Sequence, residues 1–121
     1  MNMNVSPEKL VLGIPLYGYV YDQTEEKMGA AFEKTEKTGA LTYAKIKELY
    51  LDNKSCKKRW HKKSHVPYAF CPNDDIFVSY DDARSIAVKV LYAQTKKLQG
   101  VVFWRLSGDD KEHSLVKAAR I

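Results

Sequence analysis

The sequence has no apolar run long enough to cross a membrane. Its longest such stretch, residues 10–20, contains two glycines and a proline, whereas a membrane-spanning helix needs about 20 consecutive apolar residues. We therefore predict no transmembrane segment and no membrane partner. Residues 1–9 also lack the basic start and apolar core of a signal peptide, so the sequence indicates no secretion signal and leaves the localisation unknown.

Cysteine is scarce, because the chain has only Cys56 and Cys71. A single pair does not define a redox compartment. His61 and His65 lie between the cysteines, and thiolates with imidazoles at this spacing could hold zinc. The C-x2-C knuckle that usually anchors a zinc site is absent, so we predict no metal. The two cysteines flank strand-like segments, which favours either a disulfide or two free buried thiols.

Several signatures of catalysis are also missing. The sequence contains no Gly-rich phosphate loop, and no Ser-His-Asp or Cys-His constellation suggests itself. We therefore predict no cofactor and no nucleophilic triad.

Negative charge is in the minority, and the formal net charge is +5. Much of the excess lies in one basic cluster within ten residues, beside His61 and His65. A dense basic cluster can bind nucleic acid or an acidic glycan, but most are solvated faces. We expect no nucleic-acid partner, because no recognisable nucleic-acid-binding motif accompanies the cluster. A basic interaction module that binds an anionic partner remains an alternative. The cluster consists of Lys54, Lys57, Lys58, Arg59, Lys62 and Lys63.

The chain of 121 residues is long enough for one compact core, and its composition is that of a folded globular protein. Two continuous apolar runs, at residues 9–18 and 101–106, predict parallel strands that are covered on both faces. Parallel strands joined through helices indicate the α/β class.

Helical spacing of apolar residues predicts two helices between these strands. The first covers residues 41–51, with Thr42 as its cap and Leu49 on its buried face. The second carries its apolar residues over 83–98, after the acidic cap residue Asp82.

The remaining segments predict a hairpin, loops and a last helix. Residues 66–71 and 76–80 are strand-like and are separated by a turn. Residues 21–39 are polar without a sustained period, which is typical of loops and short strand pieces. Ser114 is placed to cap a terminal helix that runs to Ile121.

Several segments resemble family 18 of the glycoside hydrolases, the chitinases and chitinase-like lectins. Residues 9–18 (KLVLGIPLYG) resemble a late barrel strand of that family, and residues 100–104 (GVVFW) resemble its last strand with a terminal tryptophan. Four shorter matches lie between them in family order, and together they make the resemblance specific. They are residues 39–43, 59–60, 66–68 and 79–82.

The resemblance implies an α/β fold made of the last two strand-helix units of a (β/α)8 TIM barrel with an inserted small α+β lobe. A whole barrel needs about 250 residues, so this chain is too short to close one. The implied division is a barrel strand segment at 1–20, the chitinase insertion lobe at 21–80, and a terminal helix-strand-helix at 81–121.

The resemblance also implies a function. The parent activity would be hydrolysis of β-1,4-linked N-acetylglucosamine, with chitin or its oligosaccharides as partners. The family's acidic motif D-x-x-D-x-D-x-E has no match in this chain, so we expect a C-terminal fragment that is inert alone and is completed by the missing N-terminal barrel half. A non-catalytic, lectin-like carbohydrate-binding protein is the alternative.

Three aromatic residues are the candidate substrate-binding residues. Tyr17, Tyr19 and Trp104 lie at the carboxyl ends of the predicted strands, where strand-helix barrels place their sites. From the pattern alone, Trp104 is more often a core residue. The resemblance implies instead that it forms the base of a sugar subsite and that Tyr17 contacts the same sugar. Tyr19 stands where the family usually has arginine, so substrate preference is open.

Three pairs of adjacent acids are candidates for the two carboxylates of a glycosidase. Neighbouring residues in a turn or cap point apart, and turns and caps account for all three pairs. We therefore predict no catalytic residue in this chain. The pairs are Asp74 and Asp75, Asp81 and Asp82, and Asp109 and Asp110.

Overall fold

A computed structural model describes residues 4–22 and 39–120 of the chain. These residues form strands and short helices, with 3-10 turns at Pro7–Lys9 and Leu106–Gly108. The strands are β1 (Val11–Pro15), β2 (Tyr17–Asp22), β3 (Gly39–Thr42), β4 (Lys57–His61), β5 (Val66–Cys71), β6 (Ile76–Ser79) and β7 (Gly100–Trp104). The α-helices are α1 (Tyr43–Ile46), α2 (Ala83–Thr95) and α3 (Ser114–Ala118).

The strands form two sheets. β1 and β7 pair in parallel, with Val11 opposite Gly100 and Pro15 opposite Trp104. The other strands form an antiparallel sheet in the order β3-β2-β6-β5-β4. The parallel pair and the β5–β6 hairpin confirm two predictions from the sequence. The predicted loops at 21–39 fall mostly outside the described residues.

The structure corrects the prediction of one strand over residues 9–18. β1 ends at Pro15, which has no N–H to donate to a ladder. The chain then turns at Leu16 and enters β2, which pairs with β3 and β6 in the other sheet. Antiparallel partners on both edges of β2 draw this segment away from the parallel pair. Tyr17 and Tyr19 therefore belong to the antiparallel sheet.

Burial of the parallel pair is one-sided, not two-sided as predicted. Helix α2 packs against β1 and β7 and buries Ile14, while Phe103 is partly buried beside it. The opposite face of the pair exposes Val102 to 54% and Trp104 to 71%. Among the described residues, a layer covers only the α2 side.

The helix predicted at 41–51 begins at Tyr43, because Leu41 and Thr42 belong to β3, and its geometry changes midway. Thr42 caps α1, since its hydroxyl accepts a bond from the Lys45 N–H at 3.2 Å. A π-helical turn follows over Lys47–Leu51, with the Asp52 N–H bonded to the Lys47 carbonyl at 2.9 Å. The wider turn rotates later residues around the axis. Leu49, predicted to face the core, is consequently exposed.

Helix α2 has the predicted acidic cap. The Asp82 carboxylate accepts the Ser85 N–H at 2.9 Å, and the Ser85 hydroxyl accepts the Asp82 N–H at 2.9 Å. This reciprocal capping box fixes the first turn. The helix ends at Thr95, before the predicted limit at residue 98, and Lys97 adopts a positive φ of 57° just beyond it.

Helix α3 is shorter than predicted and is capped differently. It covers Ser114–Ala118, and Ser114 is its first residue and not its cap. Asp110 accepts the Ser114 N–H at 2.8 Å, while Asp109 accepts the N–H groups of Leu115 and Val116 at 3.2 and 3.0 Å. The carboxylates satisfy the free N–H groups of the first turn.

Cys56 and Cys71 form a disulfide. The bond continues the β4–β5 ladder, in which Lys57 lies opposite Phe70. It settles the two alternatives left open by the sequence and leaves neither sulfur available as a zinc thiolate. Both cysteines belong to the core cluster beneath the antiparallel sheet.

Candidate functional site

A cavity of about 370 Å³ opens between the end of the parallel pair and the β2–β3 edge of the antiparallel sheet. It brings together all three aromatic residues singled out in the sequence, Tyr17, Tyr19 and Trp104. We refer to it as the main cleft. Its described lining comprises Leu16, Tyr17, Tyr19, Ala40, Leu41, Thr42, Trp104, Arg105 and Gly108.

Two backbone hydrogen bonds of Leu16 connect the strands and the helix that surround the main cleft. Its N–H donates to the carbonyl of Trp104 at 2.7 Å, and its own carbonyl accepts the Tyr43 N–H at 3.0 Å. The side chain is fully buried. One residue thus fixes the end of β7, the start of β2 and the start of α1 relative to one another.

Trp104 is the most exposed of the large apolar side chains in the described residues. The Trp104 backbone is held by the hydrogen bond from Leu16, and the indole ring is open to solvent. Such a ring can pack on the C–H face of a sugar. The pattern-based expectation that this tryptophan lies in the core is therefore wrong, since its side chain lines the main cleft.

The tyrosines of β2 form a row on one face of the sheet. Alternate residues of a strand point to the same side. The rings of Tyr17 and Tyr19 meet edge to face with centroids 5.9 Å apart, and those of Tyr19 and Tyr21 stack at 6.3 Å. These contacts limit the freedom of the rings before any ligand arrives.

A smaller cavity, of about 170 Å³, is lined by the same two tyrosines. Its described lining adds Val66, Ser79 and Asp81 to Tyr17 and Tyr19. The tyrosine pair is therefore a wall shared by two cavities.

Two glycines permit the close approaches that shape this region. A Cβ at Gly18 would overlap the Ser79 carbonyl oxygen and lie 2.7 Å from Ile46 Cδ1. A Cβ at Gly108 would overlap the carbonyl oxygen of Leu16. Larger residues at either position would push apart the elements that carry the aromatic rings.

Asp81 and Asp110 are bonded to other side chains and backbone groups of the fold. Lys89 Nζ lies 2.7 Å from both carboxylate oxygens of Asp81, and Ser85 donates to the same carboxylate. Burial alone would raise the pKa of Asp110, but hydrogen bonds from Ser114 and the Lys47 charge hold that pKa below its usual value. None of the described residues that line the main cleft is a carboxylate.

Two buried phenols lie beneath the antiparallel sheet. Burial, reinforced by the charge of Asp110, raises the pKa of Tyr43 to about 12. Burial also raises the pKa of Tyr80, with a further contribution from Asp82. Both phenols stay protonated at neutral pH, so neither serves as a base there.

The basic cluster lies on β4, an edge strand, and in the turns on either side of it. One of its lysines is bonded to the backbone of the fold. Lys58 Nζ donates to the Leu51 carbonyl at 2.6 Å. The Arg84 guanidinium lies 3.9 Å above the ring centroid of Trp60, a partly buried residue of the same strand. Lysines along an edge also discourage pairing with other strands.

Arg105, Leu16 and Thr42 were not predicted as site residues. Arg105 directly follows Trp104 at the end of a strand, which is a position that could have drawn attention. Leu16 and Thr42 reach the cleft only through the break between β1 and β2 and the β2–β3 pairing. Within the described ranges there is no grouping of His, Cys, Asp and Glu suited to a metal ion, and no helix there has the length and apolarity to span a membrane.

The fold and the site define an α/β chain with an open aromatic cleft at the end of its parallel strands, the position where strand-helix barrels carry their sites. The model of the family Glycosyl hydrolases family 18 matches residues 1–109. The chain belongs to that family.

Several chitinases are similar to this chain in sequence and in structure. Chitinase A1 of Niallia circulans is 32% identical over 117 residues, which is 90% of this chain and 17% of that protein. The structure of a chitinase from Rhizomucor miehei matches with a TM-score of 0.80 and 26% identity, over 95% of this chain and 39% of that one. A plant class V chitinase mutant from Cycas revoluta, solved in complex with (GlcNAc)3, matches with a TM-score of 0.77 and 30% identity, over 96% of this chain and 34% of that one. The chain thus spans less than two fifths of the length of each of these relatives.

Proposed function

We propose that this chain supplies the floor and one wall of the sugar cleft of a chitin-acting family 18 hydrolase. Tyr17, Tyr19 and Trp104 are the residues that contact N-acetylglucosamine rings. The observation that carries the proposal is the 71% exposure of Trp104 in a cleft shared with both tyrosines. The complex of the Cycas revoluta relative with (GlcNAc)3 supports the choice of ligand.

The proposed architecture is the end of a barrel with an insertion. β1, α2, β7 and α3 correspond to the last two strand-helix units, and the antiparallel sheet belongs to the inserted lobe. Two features support this assignment, namely the parallel β1–β7 pair separated by an insertion and a helix, and the match to chitinase structures over almost the whole chain.

Hydrolysis requires carboxylic acids, and the described residues place none in the main cleft. A glycosidase needs an acid near the bond that is broken. No acid is among the described residues of the main cleft, and the family's acidic motif has no match in the chain. We therefore propose that catalysis needs acids from the rest of a family 18 barrel, which would cover the exposed face of Val11 and Val102.

The lectin-like alternative is favoured by the same absence of acid, since an aromatic cleft binds sugar without cleaving it. For the basic module, the structure offers less support, because Lys58 already bonds to a carbonyl of the fold.

The test is a titration of the chain with a chitin oligosaccharide, followed by NMR and repeated with Trp104→Ala. Stacking on one ring is worth about 1 kcal/mol beyond buried area, and half a cleft should bind at roughly millimolar Kd. We expect Trp104→Ala to abolish most of this binding with little change in thermal stability. Tyr92→Ala on α2, which also removes an exposed aromatic ring, is the matched control and should bind as the original chain does.

Two results would contradict the proposal. One is unchanged sugar binding in Trp104→Ala together with a large loss of stability, which would make the indole a packing residue. The other is hydrolysis of chitin oligosaccharides by the isolated chain that disappears when one of its own aspartates is replaced.

A further inference from the structure

The described lining of the main cleft carries charge of one sign only, which is positive. Arg105 is the only charged residue among the described residues that line it. The others are apolar or carry a hydroxyl group, as in Tyr17, Tyr19 and Thr42. A ligand in this cleft therefore meets one fixed positive charge and no described negative one.

Two aspartates that follow Arg105 along the chain, Asp109 and Asp110, are bonded to other parts of the fold. Asp109 accepts N–H groups of α3, and Asp110 accepts the Ser114 N–H and lies 3.7 Å from Lys47 Nζ. Asp81, in the smaller cavity, is paired with Lys89. Within residues 4–22 and 39–120, no carboxylate neutralises the guanidinium of Arg105.

Arg105 is also well placed to meet a bound sugar. It directly follows Trp104, is exposed, and lines the same cavity as the indole. A ring stacked on the indole carries its substituents around its edge, within reach of a neighbouring long side chain. A guanidinium stays charged at any working pH and has five N–H donors, so it donates hydrogen bonds to carbonyl oxygens and anions and repels cations.

We propose that Arg105 is a specificity-determining residue that selects sugars by the charge of their substituents. It favours rings with a neutral carbonyl-bearing or negative substituent and disfavours rings with a protonated amine. This inference rests on the proposed function, because it assumes that saccharides bind in the main cleft.

The test uses one ligand whose charge can be changed without changing its shape. A β-1,4-linked glucosamine oligomer is titrated into the chain well below and well above the pKa of its amine. An N-acetylglucosamine oligomer of equal length, which has no titrating amine, corrects for titration of the protein. Apart from Arg105, the ionisable side chains in the described lining of the cleft are the phenols of Tyr17 and Tyr19.

We expect glucosamine binding to strengthen roughly threefold to tenfold as the amine loses its proton, since two unit charges a sugar ring apart repel modestly in a solvent-exposed cleft. Arg105→Gln should remove this pH dependence, Arg105→Lys should retain it, and Arg105→Glu should reverse it. Lys63→Glu makes the same change in net charge in the exposed turn after β4, and should leave the original pH dependence in place.

The outcomes separate this inference from the proposed function. If the N-acetylglucosamine oligomer does not bind the original chain, both fail. If it binds through Trp104, but the pH dependence of glucosamine binding is unchanged in Arg105→Gln or is equally altered in Lys63→Glu, only the role of Arg105 is overturned. Failure of Arg105→Glu to bind the protonated glucosamine oligomer better than the original chain does also overturns it.

Discussion

Replacement of Gly18 by alanine should destabilise the chain through a single steric conflict. The new Cβ would overlap the Ser79 carbonyl oxygen and lie 2.7 Å from Ile46 Cδ1 and 2.8 Å from Tyr80 Cβ. Ser79 lies opposite Tyr19 in the β2–β6 ladder, so its backbone cannot retreat without breaking strand pairing. Ile46 and Tyr80 belong to the core and have little room to move.

The magnitude follows from two opposing effects. Overpacking in a well-packed core costs about 1–3 kcal/mol. Replacing glycine by alanine also lowers the entropy of the unfolded chain, which returns about 0.4–1 kcal/mol. Since Gly18 does not have a positive φ, no backbone strain is added. We expect a net loss of about 1–2 kcal/mol in the free energy of unfolding.

Urea denaturation followed by far-UV circular dichroism measures this loss. Gly13→Ala is the matched control, because a Cβ at that strand position meets nothing within 4 Å. It should leave stability unchanged or slightly raised. Equal destabilisation by both substitutions, or none by Gly18→Ala, would refute the idea that close β2–β6 packing holds the tyrosines in place.

Two further predictions concern the disulfide and a buried phenol. Reduction of the Cys56–Cys71 bond, which joins residues 15 apart, should lower the free energy of unfolding by about 3 kcal/mol; urea midpoints with and without a reductant measure this, and equal midpoints would argue against a stabilising bond. Because the pKa of Tyr43 is raised to about 12 in the folded chain, its contribution to stability is full below the usual value for tyrosine, about 10, and is lost as pH rises towards 12. Tyr43→Phe should flatten the decline of the melting temperature over that alkaline range, and an unchanged decline would contradict burial of this phenol.

The sequence by itself determined much of the local structure and the family. Continuous apolar runs indicated β1 and β7, and turn residues between two strand-like segments indicated the β5–β6 hairpin. Asp82 was recognisable as a helix cap because its chemistry acts within one turn. Motif matches along almost the whole chain indicated the family, which the match over residues 1–109 shows.

The tertiary structure alone decided where one strand ends and the next begins. Residues 9–18 are apolar throughout, and no local signal says that β2 leaves the parallel pair at Leu16. That break depends on β3 and β6, which are distant in the sequence and offer β2 its hydrogen bonds. The same holds for the disulfide, because only strand pairing brings Cys56 opposite Cys71.

The main cleft shows the same division. Tyr17, Tyr19 and Trp104 were identified from motifs, yet their meeting in one cavity depends on the hydrogen bond from Leu16 to Trp104. Arg105 was overlooked because a charged residue after a strand is ordinary in sequence. Its significance comes from its place in the main cleft, where it is the only charged residue of the described lining. Sequence patterns record which side chains are present, whereas long-range packing decides which of them are left free to meet a ligand.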